Sequence, residues 1–276
     1  MTELKHSLGG TLAQLLDPYS RQARLQPALI VVAPAAILIA VWFPALWSVW
    51  GIVLTVASSC GITLLLSQIA RDRGKRLEPK LYASWSGKPS VVLLRHADGR
   101  IDDNTKARYR AFLSTRLPDF NLPNPSEEQA DPARADRAYE SVTVWLLTQT
   151  RDTKKFGLLF RENISYGFRR NLWGLKPFGL AVALVCACAS TAALAYNYLV
   201  LHETLAPQIA IVTAATWMLA LIWMGWITPS WVRIPADAYG GQLLAACDTL
   251  SLPAGLRSKE RKPAGANKKV RNRAKP

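Results

Sequence analysis

Three runs of this chain contain no Asp, Glu, Lys or Arg: Leu25 to Ala70, Pro177 to His202 and Thr204 to Val232. No other feature restricts the fold so strongly. A membrane helix needs about 20 apolar residues to cross the hydrocarbon. The first run is about twice that length and predicts two helices, while the other two predict one each. The predicted spans are 27–46, 49–69, 178–199 and 207–231. Pro44 in "FPALWS" divides the first run, because proline lacks the amide donor and clashes with the preceding turn. Trp42, Trp47 and Trp50 flank that break and suit headgroup depth. Core helices of water-soluble proteins keep a polar face, and these runs have none. The first 24 residues are too mixed in charge to read as a cleaved leader.

Half of the residues are hydrophobic, yet the net charge is +15, so apolar and basic residues are segregated. Residues 71–177 carry 21 Lys and Arg against 13 Asp and Glu, and residues 251–276 carry 9 against 1. The two short loops between paired spans contain neither Lys nor Arg. Basic loops stay on the cytoplasmic side. The expected protein is therefore a multi-pass protein of the bacterial cytoplasmic (inner) membrane with both termini inside. Its expected fold class is all-α: four transmembrane helices in two hairpins and an α-rich cytoplasmic insert with at most one or two short strands. The expected organisation is a cytoplasmic segment 1–26, a first hairpin 27–69, the insert 70–177 and a second hairpin 178–231. A short peripheral helix 232–252 and a basic disordered tail 253–276 complete it.

Within the insert, "KPSVVLLRH" reads as a strand or extended piece at 90–95. Asp102, Asp103 and Asn104 offer a cap for a helix to about Leu117, and three prolines make "PDFNLPNPSEEQ" a loop. Asp131 and Pro132 open a second helix, with Ala138, Val142, Trp145 and Leu146 or Gln149 on its buried stripe. Phe156, Phe160, Ile164, Phe168 and Leu172 recur every four residues and predict an amphipathic helix that enters span three. In "ENISYGFRRNLWGLKP", Tyr166 and Trp173 suit headgroup depth. Arg169, Arg170 and Lys176 suit lipid phosphates, or an anionic ligand gripped by paired guanidinium groups.

The spans hold no Asp, Glu, Lys, Arg or His, which argues against proton-coupled transport and leaves open a pore selective at its mouths. Gly179, Ala183, Ala187, Ser190 and Ala193 line one side of span three. Such small residues serve packing within the bundle or a homo-oligomer interface. Ser58, Ser59, Thr63, Ser67 and Gln68 add mild polarity to span two. Cys60, Cys186, Cys188 and Cys247 lack metal or disulfide spacing and read as small apolar filler. No metal site and no cofactor is expected. The basic tail lacks interleaved aromatics, so anionic lipid rather than nucleic acid is its expected partner.

"VVLLRHADG" resembles the strand-end signature of the histidine phosphatase superfamily. That resemblance would make His96 the phospho-acceptor and Arg95 its phosphate binder. The second histidine that family needs is missing from the insert. The arrangement as a whole resembles bacterial four-helix integral membrane proteins, including the four-span effectors of nucleotide-signalling defence systems. The uncharged bundle, the small-residue face and the basic insert point to an oligomeric pore or membrane-perturbing effector regulated through the insert, with a cytosolic protein or a nucleotide as candidate partner. The alternative is a non-catalytic scaffold that docks a cytosolic partner.

Overall fold

The fold is known from a computed structural model that describes residues 17–43, 49–117, 121–202 and 207–251, with side chains omitted over 49–60. Every element among them is helical: α1 (Pro18–Trp42), α2 (Val49–Ser84), α3 (Pro89–Val92), α4 (Asp103–Arg116) and α5 (Pro125–Ala130). These are followed by α6 (Pro132–Gln149), α7 (Gly157–Gly174), α8 (Lys176–Leu199), α9 (Pro207–Gly225) and α10 (Pro229–Ser251).

Three of these helices, α1, α8 and α9, are long and apolar enough to cross a membrane. Their outer surface fits lipid rather than water: Val185, Ile211, Met218 and Leu221 are 61–68 % exposed. These features support a membrane protein. The small-residue side of α8 is turned inward. Gly179, Ala183, Ala187 and Ser190 are buried, and a Cβ on Gly179 would overlap the Trp223 ring of α9. Close approach of α8 and α9 within one chain therefore uses that face. The Pro44 break and Trp47 lie outside the described residues.

Several elements differ from expectation. The first helix starts ahead of the predicted span, at Pro18, where the Asp17 carboxylate caps it by accepting the Ser20 amide at 2.9 Å. The 90–95 run is not a strand. Pro89 starts the helical turn α3, and Ser90 to Leu94 are buried on every side. A run buried all round has no periodicity to reveal its type. The proline-rich loop contains α5, opened by a capping box between Asn124 and Glu127 with Pro125 in its first turn. Asp102 and Asp131 cap α4 and α6 by accepting the Thr105 and Arg134 amides. On α6 the buried stripe is Ala135, Tyr139, Val142 and Leu146, so Ala138 and Trp145 are only half-buried.

Four apolar clusters follow one another along shared helices. Leu38, Cys186 and Val212 form the first, in α1, α8 and α9. The second joins the same helices to α2 and α7 through Val31, Ala70, Leu172, Leu175, Ala183, Ala220 and Trp223. The third, a joint, holds Leu81, Trp85, Tyr166, Val232 and Ala236. The fourth is the core of a helical domain, where Leu94, Leu113, Tyr139, Val142, Leu146 and Leu159 meet Leu243 and Leu244. Thus α10 is not peripheral: it carries the chain from the joint into that core. Arg108 pairs with Asp248 at 2.7 Å and Arg100 with Asp237 at 3.0 Å, fastening it to the domain. Leu244→Ala is expected to cost about 2–5 kcal/mol, as for other fully buried leucines. Denaturant unfolding of the detergent-solubilised chain checks this. A loss under about 1 kcal/mol would place α10 outside the cooperative core.

Candidate functional site: a polar joint between bundle and domain

Helix α7 buries Gly167, Arg170, Asn171 and Gly174. Their spacing of three and four places them on one face. That face meets α1 at its π-helical turn, Arg21–Leu25, and meets α2 below its uncharged stretch. At Gly167 a Cβ would stand 2.9 Å from the Tyr19 hydroxyl and 3.1 Å from the Ala23 Cβ. At Gly174 it would stand 2.9 Å from the backbone nitrogen of Gly74. The two glycines of "YGFRRNLWG" are thus points where another helix comes within touching distance of the α7 backbone.

The polar residues between them join three helices. Asn171 is fully buried, and its Nδ2 donates to the Ala23 carbonyl at 2.6 Å, inside the π turn. A π turn disturbs the regular carbonyl ladder, so an outside donor there is a natural partner. The Oδ1 of Asn171 accepts from Arg170 Nε at 3.3 Å and Nη2 at 3.2 Å. The Nη1 of Arg170 pairs with Glu78 of α2. Tyr166 donates to the same Glu78 oxygen at 3.0 Å, and the Tyr82 hydroxyl lies 3.3 Å from that of Tyr166. The Arg170 guanidinium stands 5.4 Å above the Tyr166 ring, which stacks on Tyr239 of α10 at 6.4 Å. Burial, reinforced by Tyr82 and Glu78, pushes the Tyr166 phenol far above its ordinary range, so it remains a donor.

The other cations of the motif also turn inward. Arg169 donates to the Trp231 carbonyl at 2.9 Å and lies 4.7 Å over that indole. Lys176 donates to the carbonyls of Met224 and Ile227 at 3.0 and 2.9 Å, capping the end of α9 with a positive charge. Arg169, Arg170 and Lys176 therefore go to three separate sets of internal acceptors and do not converge on one ligand. Tyr166 is buried in the joint, Trp173 is half-buried between two apolar clusters, and Trp42 packs beside Leu38 and Cys186. Glu78, Tyr82 and Asn171 were missed by sequence reasoning. The available signal was the spacing of Gly167, Asn171 and Gly174.

Arg95 and His96 belong to a second polar cluster, in the domain. Arg95 makes a two-pronged pair with Asp136 at 2.8 and 2.6 Å. The His96 ring Nε2 lies 2.8 Å from Arg110 Nη1 and 3.1 Å from the Pro123 carbonyl. The buried Glu128 accepts the backbone amides of His96 and Ala97 at 2.9 and 3.3 Å, and the Tyr139 hydroxyl at 2.6 Å. Lys106, also buried, donates to the carbonyls of Arg95 and Asp98. The polar groups around "RHADG" thus bond to the loop itself and fix its shape. No cluster of three or more His, Cys, Asp or Glu able to hold a metal occurs among the described residues.

Burial raises the Glu128 carboxyl, but the bonds from Tyr139, His96 and Ala97 outweigh it and hold the group below its ordinary value of 4.5. A carboxylate depressed in the folded state stabilises the fold above its unfolded value. That contribution is lost as pH falls through the folded one. Stability is therefore expected to drop below about pH 4.5, and Glu128→Gln is expected to flatten that part of the profile. The same variant should lose about 1–3 kcal/mol at neutral pH. Thermal unfolding across pH 3–7 measures both effects (range set by the ordinary carboxylate values).

No protein family, curated protein or solved structure matches the chain.

Proposed function

We propose that the chain is a four-span protein of the bacterial inner membrane whose cytosolic domain controls an oligomeric pore or a membrane-perturbing bundle. The observation that carries this reading is the continuity of α7. Its Leu159 lies in the domain core, Tyr166 in the joint, and Leu172 beside the apolar helices. A rigid helix shared by two packed regions transmits displacement from one to the other. The absence of charge from Val49 to Ala70 supports a fourth span in the first part of α2. The cations after Ala70 and before Pro177 support a cytoplasmic domain. A nucleotide or protein acting on the domain would be the trigger.

The test is membrane potential in cells that express the intact chain, read with a voltage-sensitive dye, beside dye release from liposomes holding the purified chain. Depolarisation and release are expected. Unchanged potential with intact liposomes, from folded protein at confirmed membrane abundance, would overturn the pore. A stably co-purifying cytosolic protein would then favour the scaffold. Two adjoining clefts of about 390 and 220 Å³ share Phe156 and Leu159 on the domain surface, and they favour that second reading.

A further inference from the structure

We infer that the foot of α2 holds the phosphate of an anionic lipid of the cytoplasmic leaflet, through Arg71 and Lys75 with Arg76 beside them. This inference rests on the proposed topology. The cations that follow the uncharged stretch of α2 fall into two groups. Arg73 is committed inward: its Nε donates to the Gly174 carbonyl at 3.0 Å, and its guanidinium lies 5.1 Å over the Phe178 ring. Arg71 differs. Its Nε is buried from solvent and has no hydrogen-bond partner. A buried guanidinium nitrogen without an acceptor is costly, and such a group in a native fold calls for a missing partner.

Lys75 lies one turn below Arg71 on the same side of α2. Lys75 and Arg76 are exposed and have no carboxylate partner among the described residues. Between Ala70 and Leu77 the chain holds four cations and one acid, Asp72. The next acid, Glu78, is taken by Arg170 and Tyr166. Depth is set by the joint. Asn171 bonds the Ala23 carbonyl and faces Gly74, so the turn around Gly74 is level with the start of α1. Arg71 is the first charge below the uncharged run, the level at which lipid phosphates lie. A phosphate there would pair with the half-buried Arg71 guanidinium as a whole, and Lys75 would supply a second, charge-assisted donor.

The test is native mass spectrometry of the full chain in detergent, titrated with phosphatidylglycerol and with phosphatidylcholine. Phosphatidylglycerol is expected to be retained in preference. Lys75→Gln/Arg76→Gln, at two exposed positions, should weaken it by about fivefold per cation removed, and Arg71→Gln by a similar factor. The control Arg134→Gln/Arg137→Gln removes the same charge from the exposed side of α6 and should change nothing. Equal retention of both lipids would overturn the site, as would equal weakening by the control pair. Displacement of phosphatidylglycerol by millimolar inorganic phosphate would assign the site to a soluble anion and overturn the lipid reading. Binding in detergent does not depend on orientation, so failure here is distinct from failure of the topology.

Discussion

Glu78→Leu is expected to lower the unfolding free energy by about 3–5 kcal/mol. The side chains of Arg170 and Glu78 are 8 % and 23 % exposed, so water screens the pair weakly. Removing the carboxylate strands a guanidinium that retains only its neighbour's Oδ1 and a tyrosine face. Tyr166 loses the acceptor of its hydroxyl at the same stroke. Removing both charges is a different experiment, because neither partner is then left alone. Glu78→Leu/Arg170→Met should recover most of the loss, since apolar replacements of buried pairs are often neutral or stabilising. Denaturant unfolding of the three variants closes the cycle. A double variant as unstable as the sum of the singles would show that the pair is not coupled.

Gly174→Leu is expected to be nearly as damaging, for a steric reason. Its Cβ would meet the Gly74 backbone nitrogen at 2.9 Å and the Gly74 Cα at 3.2 Å. Both are main-chain atoms of a packed helix and cannot swing aside. Helices α2 and α7 must separate, which opens the second apolar cluster and pulls Arg73 from the Gly174 carbonyl. Overpacking of this kind costs about 1–3 kcal/mol, and the lost hydrogen bond adds about 1 more. Gly157→Ala on the same helix is the control. Nothing lies within 4 Å of its added Cβ, so a change within about 0.5 kcal/mol is expected. Equal effects at the two glycines would refute the close crossing.

The apolar helices were legible in the sequence because their signal is one of composition. Charge is excluded from Leu25 to Ala70 whatever the packing. The caps at Asp102 and Asp131 were legible because they are local chemistry, satisfied within three residues. The joint was not. Arg170 beside Trp173 looks like any interface cation, and its partner Glu78 is 92 positions away. Burial of Arg170 follows from where α2 crosses α7, and one sequence does not disclose that crossing. The run at 90–95 failed for another reason. It packs against both α6 and α10, with the Ser90 amide 3.0 Å from where a Gly240 Cβ would sit. Buried all round, "SVVLL" offers no polar alternation to separate strand from helix. The "RHADG" resemblance rested on residue identity, whereas Arg95 and His96 are engaged by Asp136, Arg110 and Pro123.

The proposed function requires that the joint tie a cytosolic domain to four membrane spans. Its most direct test is cysteine labelling of intact cells with a membrane-impermeant maleimide, in a background without the four native cysteines. Ser48→Cys and Thr204→Cys, which the proposed topology puts on the outer side, are expected to label in intact cells. Ser126→Cys, exposed on α5, should label only after permeabilisation. Labelling of Ser126→Cys in intact cells, or protection of both loop positions there, would contradict the four-span arrangement and the coupling built on it.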